Sequence, residues 1–260
     1  MKFFTSLYRK IVNAPFNEPI FISTNKPINS KIIRFIYDSI LTIFKAQQNY
    51  VTSERIVEIP FVLQNLDIPK GGKILDFGCD ESKISLELAS LGYSVTAVDF
   101  SDYNFSHPNL KFIKSDILKA DIDKASFDVI VALSAIEHCG IGFYSNDMGD
   151  DLKIIKYLHS LLKKGGKLLI TVPFGKKDQN NLHRIYDFRA LENLLKDFNI
   201  VKKEFYIGIG RKHWLPCTEK DLENTDSIKV GFVQGVACIV CRKSSILNNF
   251  MNNLINIHIF

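Results

Sequence analysis

Cysteine is scarce in this chain and odd in number, with five residues, at 79, 139, 217, 238 and 241, among 260. An odd set in a chain of this size does not make a disulfide framework, and the expectation is reduced thiols in a cytoplasmic protein. Cys238 and Cys241 form a Cys-x-x-Cys pair inside "GFVQGVACIVCRK", a strand-like run. Positions three apart on a strand face opposite ways, and no second ligand pair lies nearby, so no metal site is expected. No apolar run approaches the ~20 residues that cross a bilayer, so no transmembrane segment is expected. The start, "MKFFTSLYRKIV", is interrupted by Arg9 and Lys10 before a secretory apolar core develops. Blocks of like charge are absent too. The net charge of +5 is spread along the chain, which reads as solvated surface, and no nucleic-acid partner is expected. Internal repeats and low-complexity tracts are also missing.

What is present is an ordinary globular composition, 46% apolar and 23% charged. Residues 1–30 carry Pro15, Pro19 and Pro27 and read as an irregular arm. "SKIIRFIYDSILTIFKAQQ" then repeats apolar residues at three- and four-residue steps, as an amphipathic helix does, with Ser30 as its cap. "SERIVEIPFVLQNL" is a second helix that Pro60 should kink or divide. From residue 73 strands alternate with helices. Strands are expected near 73–78, 94–99, 110–115, 127–133, 167–173, 200–209 and 232–242, and helices near 81–91, 149–163 and 187–197. That order predicts an α/β fold with a Rossmann-like, seven-stranded, mostly parallel sheet and an N-terminal helical extension. The division is an arm and helical cap over 1–68, a ligand-binding domain over 69–243 and an amphipathic segment over 244–260. The terminal helices are candidates for packing on the body or on a second copy as a homodimer.

Glycine is lacking where a dinucleotide site would need it most. In "KILDFGCDESKISLELASLGYSVTAVDF" a strand ends at Asp76-Phe77-Gly78, a helix follows, and a second strand ends at Asp99. A Gly-x-G-x-x-Gly turn would put glycines where Asp80 and Lys83 stand, and an acid at the pyrophosphate position repels it. Asp99 nevertheless follows Gly78 by 21 residues, near the ~20-residue spacing of an acid that reads ribose hydroxyls. A ribose reader without a phosphate cradle suits a nucleoside carrying a sulfonium and an amino-acid tail, S-adenosylmethionine.

"ILDFGCDES", "VTAVDFS", "IKSDI", "FDVIVALSAIEH" and "LLKKGGKLLITVPF" together resemble, in order, the motifs of class I S-adenosylmethionine-dependent methyltransferases. The resemblance covers residues 73 to about 174, with later strands agreeing to about 243. It implies that Asp76, Gly78 and Cys79 form the loop beneath the methionine part of the cofactor. It also implies that Asp99 binds the ribose, Phe100 the adenine, Asp116 the adenine amino group, and Ile117 the ring face. Leu133 and Ser134 would lie against the cofactor and face the substrate. Asp80 and Ser82 depart from the family's glycines, and Ser82 could cap the next helix. "SAIEHCGIGFYSND" resembles the subset acting on sugars or the cell envelope, so a small-molecule or glycan acceptor is expected.

Methyl transfer needs a base only where the acceptor must lose a proton. Glu137 and His138 follow the fourth strand, and His138 is the first choice for that base or else a loop-ordering residue. Tyr144 and Asp147 shape the same loop, and His183, Arg184 and Tyr186 are candidate acceptor contacts. Trp214, the single tryptophan, would stack on an acceptor or pin its loop. The helices over 31–66 would cover the cleft and select the acceptor. Two rivals stay open, a nicotinamide-dependent oxidoreductase on a similar sheet and a non-catalytic binder of the methyl donor. An Asn/Asp-Pro-Pro-Tyr/Phe motif is lacking after the fourth strand, which disfavours methylation of nucleobase amino groups.

Overall fold

The computed structural model describes residues 52–80, 82–142, 150–210 and 212–243. The expected first helix near residue 30, Tyr144, Asp147 and the 244–260 segment lie outside the described residues. A helix α1, Arg55–Gln64, comes first, followed by β1, Lys73–Phe77, then α2, Ile84–Ser90, and β2, Ser94–Asp99. The chain continues through β3, Leu110–Lys114, and β4, Phe127–Leu133, into a 3₁₀ turn at Ile136–His138. Helix α3, Asp151–Leu161, leads directly into β5, Leu162–Pro173. A two-stranded ribbon, β6 (Asp178–Gln179) and β7 (Arg184–Ile185), precedes α4, Phe188–Leu194. Next come β8, Phe198–Ile209, and β9, His213–Cys217. The short helices α5, Glu219–Leu222, and α6, Ser227–Val230, lead to β10, Gly235–Lys243.

Eight strands make the main sheet, in the order β3-β2-β1-β4-β5-β10-β8-β9. The first five pair in parallel, while β10 runs antiparallel to both β5 and β8, and β9 antiparallel to β8. All seven expected strands are present. The eighth is β9, which arises because "HWLPC", expected as a loop, turns back on β8 and pairs from Phe205 to Ile209.

The sheet is covered on both faces, which is why its central strands read as continuous apolar runs. On one face Phe61, Val62 and Leu66, from α1 and just beyond it, and Ile84 and Leu88 of α2 pack on Ile74, Val129 and Val131. On the other, Ile154, Ile155 and Leu158 of α3 and Leu191 and Leu194 of α4 pack on Leu75, Ile130 and Ile170. Cys238 joins the first layer and Cys241 the second, as a spacing of three on a strand requires. Helices α3 and α4 begin at side-chain caps: Asp150 accepts from the Lys153 amide and Asp187 from the Ala190 amide, both at 2.8 Å. Pro60 neither ends nor divides α1. The carbonyl that loses its donor there belongs to Ile56, which is 57% exposed, so the loss falls on the solvent side.

Strand order reverses at β1, which has β2 and then β3 on one side and β4 on the other. A crevice opens at such a point beyond the carboxyl ends of the strands.

Candidate functional site

A cavity of about 350 Å³ occupies that crevice. Its walls follow the sheet order: Ser115 and Ile117 after β3, Val98, Asp99 and Phe100 at β2, Phe77, Gly78 and Asp80 at β1, then Ser134, Ala135, His138 and Cys139 after β4. Arg55, at the start of α1, and Leu182, from the ribbon loop, complete it.

The turn after β1 is built by two left-handed residues, Gly78 at φ 73° and Asp80 at φ 37°. A Cβ on Gly78 would stand 2.6 Å from the Ala135 Cβ, so both the conformation and the close approach to the β4 turn demand glycine. Asp80 fills the left-handed position without one, which a short polar side chain tolerates best among non-glycine residues. Its amide N–H donates to Asp99 Oδ2 at 2.9 Å, and the Ser101 amide donates to Oδ1 at 2.8 Å. The Asp99 carboxylate is thereby locked in orientation at the cavity wall. The Ser82 Oγ accepts from the Ile84 amide at 3.3 Å at the start of α2, and the Tyr103 hydroxyl donates to the Ser82 carbonyl at 2.8 Å.

Several expected site residues lie behind the wall. Asp76 is buried and accepts from the Ser85 hydroxyl at 2.5 Å, and burial pushes its carboxyl up to about 6 despite that bond. Cys79 is buried against Ala97 and Tyr103, and burial raises its thiol far above the ordinary range. Asp116 is turned into its own backbone, where Oδ1 accepts from the Leu118 amide at 2.9 Å, and its neighbours Ser115 and Ile117 line the cavity instead. Leu133 contributes its carbonyl, which accepts from Arg55 Nη1 at 3.1 Å. Gly78, Asp99, Phe100, Ile117 and Ser134 do line the cavity.

His138 reaches the wall as expected and is held by the ribbon loop, its Nδ1 lying 2.5 Å from the Leu182 carbonyl. A carbonyl only accepts, so the proton sits on Nδ1 and the ring lone pair on Nε2. Burial lowers the imidazole below its ordinary range, which keeps it neutral at pH 7, while the Leu182 carbonyl pulls the other way. Glu137 does not join it at the cavity. It is 2% exposed, burial raises its carboxyl well above the usual range, and Oε2 meets no hydrogen-bond partner among the described residues. Its Oε1 stands 3.9 Å from His138 Nε2, so the buried carboxyl lies behind the imidazole while His138 itself lines the cavity.

The expected acceptor contacts are distributed differently again. Tyr186 is buried and donates to Asp151 Oδ2 at 2.8 Å, and Arg184 Nη1 donates to the Cys139 carbonyl at 2.5 Å, steadying the wall from outside. The His183 ring stands edge-on to His138 at 6.4 Å and does not line the cavity, whereas Leu182 does. Trp214 lies on β9 near the sheet edge, with its Nε1 donating to the Thr52 carbonyl at 2.8 Å and its ring against Gly208. It pins the approach to α1 and does not face the cavity.

Sequence reasoning missed Arg55, Ser115, Ala135 and Leu182. Arg55 carries no local motif, and only its place one turn before Glu58 on α1 hinted at a held charge.

The cavity suits an adenosine sulfonium. Its wall carries an acid, Asp99, held by two backbone N–H groups, a turn with no room for a Cβ at Gly78, and a second acid at Asp80. Comparison with known proteins agrees with that fold and motif order. A family model described as "Caenorhabditis protein of unknown function, DUF268" matches residues 93–213. The chain is 29% identical over 126 residues to a ubiquinone biosynthesis O-methyltransferase from Xanthomonas axonopodis pv. citri, a match covering 44% of this chain and 48% of that one. It thus spans about half the length of the curated relatives it matches. Among solved structures, the Burkholderia thailandensis 1,6-didemethyltoxoflavin-N1-methyltransferase, with S-adenosylhomocysteine bound, superposes with a TM-score of 0.53. It is 14% identical, over 88% of this chain and 99% of that one. The [4+2]-cyclase SpnF superposes at 0.53 with 17% identity, over 71% and 79% of the two chains. The architecture is that of the class I methyltransferases. In fold and in the order of its motifs the chain is similar to class I S-adenosylmethionine-dependent methyltransferases.

Proposed function

We propose that this protein transfers a methyl group from S-adenosylmethionine to an oxygen or nitrogen of a small-molecule acceptor. The observation that carries the reading is Asp99, an acid at the end of β2 whose two oxygens are each fixed by one backbone N–H while facing the cavity. When bound, the cofactor supplies a methyl group activated by its sulfonium for in-line displacement.

The chain's own residues do the rest. Asp99 orients the ribose, Phe100 and Ile117 flank the adenine, and Gly78 allows the backbone to approach the amino-acid part. Arg55, the one cationic side chain among the described cavity residues apart from a protonated histidine, complements the amino acid's carboxylate. His138 Nε2 accepts the proton of an acceptor hydroxyl, a contribution of roughly 10²- to 10⁴-fold. That base favours oxygen over nitrogen, and the relatives' name, ubiquinone biosynthesis O-methyltransferase, supports the same preference.

The nicotinamide rival loses ground at Asp80, whose carboxylate would meet a pyrophosphate at the cavity wall. Titration of the purified protein with S-adenosylhomocysteine and with NADH separates the two, and binding of the first alone is expected. Incubation with methyl-labelled cofactor and fractionated cell extract should then label an acceptor, and His138→Gln should slow labelling at least 10²-fold with cofactor affinity unchanged. Failure of the folded protein to bind S-adenosylhomocysteine sinks the reading.

A further inference from the structure

Glu58 is a buried acid that the proposed chemistry leaves unused. It sits on α1 at 0% exposure, and its carboxylate meets Thr171 and two residues of the cavity wall. Oε2 accepts from Arg55 Nη1 at 2.8 Å, and Oε1 accepts from the Ser134 hydroxyl at 2.6 Å. Arg55 and Ser134 line the cavity, one from α1 and the other from the turn after β4.

Each partner is constrained from a second side. The same Arg55 nitrogen donates to the Leu133 carbonyl at 3.1 Å. Ser134 is left-handed, at φ 44°, and its amide is directed at Thr171, 3.2 Å from the carbonyl and 3.0 Å from Oγ1. Glu58 therefore closes a bridge from α1 to the ends of β4 and β5, next to the point where Ala135 meets Gly78. An ion pair with one fully buried partner is a weak source of stability, because desolvation offsets the attraction. What it fixes well is geometry. With Nη1 committed to Glu58 and Leu133, the planar guanidinium has few orientations left, and its remaining N–H groups are presented from the cavity wall.

We propose that Glu58 is a positioning residue that holds the Arg55 guanidinium, against the β4 turn, at the amino-acid end of the cofactor site. The inference rests on the reading of this cavity as an S-adenosylmethionine site. It predicts that Glu58 matters to a ligand with a carboxylate tail and not to one without.

The test compares S-adenosylhomocysteine, which has the tail, with 5′-methylthioadenosine, which lacks it, by calorimetry on the full chain and on Glu58→Gln. The substituted amide still accepts from the Ser134 hydroxyl and gives up the charged contact to Arg55. S-adenosylhomocysteine should bind the variant about tenfold more weakly, with 5′-methylthioadenosine within about twofold of its wild-type affinity. Equal losses for both ligands would mark Glu58 as merely structural, and an unchanged affinity for S-adenosylhomocysteine would leave it no role; either overturns the proposal. Wild-type protein that binds neither ligand overturns the functional reading and this one with it. Should Glu58→Gln not fold, Glu58→Asp, which keeps the charge and shortens its reach, enters the same comparison with the same criteria.

Discussion

An ionised carboxylate offers about four lone-pair directions. At Asp99 two are taken, one on each oxygen, by the Asp80 amide at 2.9 Å and the Ser101 amide at 2.8 Å. Two remain, the number that the paired hydroxyls of a ribose can fill. Asp99→Asn replaces one oxygen by an NH₂ group, so one hydroxyl loses its acceptor and one backbone N–H loses its partner. The first loss is felt only in the complex and is worth about 1.5–3 kcal/mol for a hydrogen bond to a charged group. The second, about 1–3 kcal/mol, falls on the free and bound protein alike and appears in stability. Affinity for S-adenosylhomocysteine should therefore fall about 10- to 150-fold at 25 °C. Calorimetry on the wild type and the variant, each with S-adenosylhomocysteine and its 2′-deoxy and 3′-deoxy analogues, isolates the ribose contribution as a cycle. At least one deoxy substitution should cost the wild type more than it costs the variant. Identical penalties in both proteins, or a variant within twofold of wild type, would refute the assignment of Asp99 to the ribose.

Three further outcomes follow from the same geometry. Gly78→Ala should lower the unfolding free energy by about 2–5 kcal/mol in urea, from a left-handed residue (about 1–2) plus overpacking against Ala135 (about 1–3). Adding Ala135→Gly should recover the packing part alone, and a double variant no better than the single one contradicts the contact. Asp76, whose carboxyl burial raises from 3.8 to about 6, favours the folded state when protonated, so its stabilisation is full below pH ~4 and is lost as pH rises through ~6. Between pH 4 and 7 the wild type should lose about 2.4 kcal/mol more than Asp76→Asn, measured by urea unfolding, and parallel curves would count against the buried acid. Trp214→Phe should cost about 1 kcal/mol of stability through the lost bond to Thr52 and leave S-adenosylhomocysteine affinity unchanged. A drop in affinity would return Trp214 to the site.

Where the chemistry is local, the sequence was readable. Gly78 and Asp99 stand at the ends of consecutive strands, where short apolar runs stop, and a parallel sheet puts such ends at one crevice. The strand that escaped notice, β9, has Pro216 within it and little apolar alternation, and it forms because β8 offers an edge to pair with. One-residue offsets decided the remaining errors. Asp116 turns into its own backbone while Ser115 and Ile117 face the cavity, and His183 turns aside while Leu182 lines it. Glu137 and His138 are neighbours in the sequence, and packing buries the first while leaving the second at the cavity wall.

The amino-acid sequence by itself determined the sheet, the crevice and the acid at its centre, because each depends on the alternation of neighbours and the spacing between strand ends. Only the tertiary structure brought Arg55 to the wall, 78 residues from the carbonyl it meets, and laid Glu58 between it and Ser134. Contacts of that kind are made by packing a helix face onto a sheet face, which periodicity announces without saying which polar side chain will be caught between them.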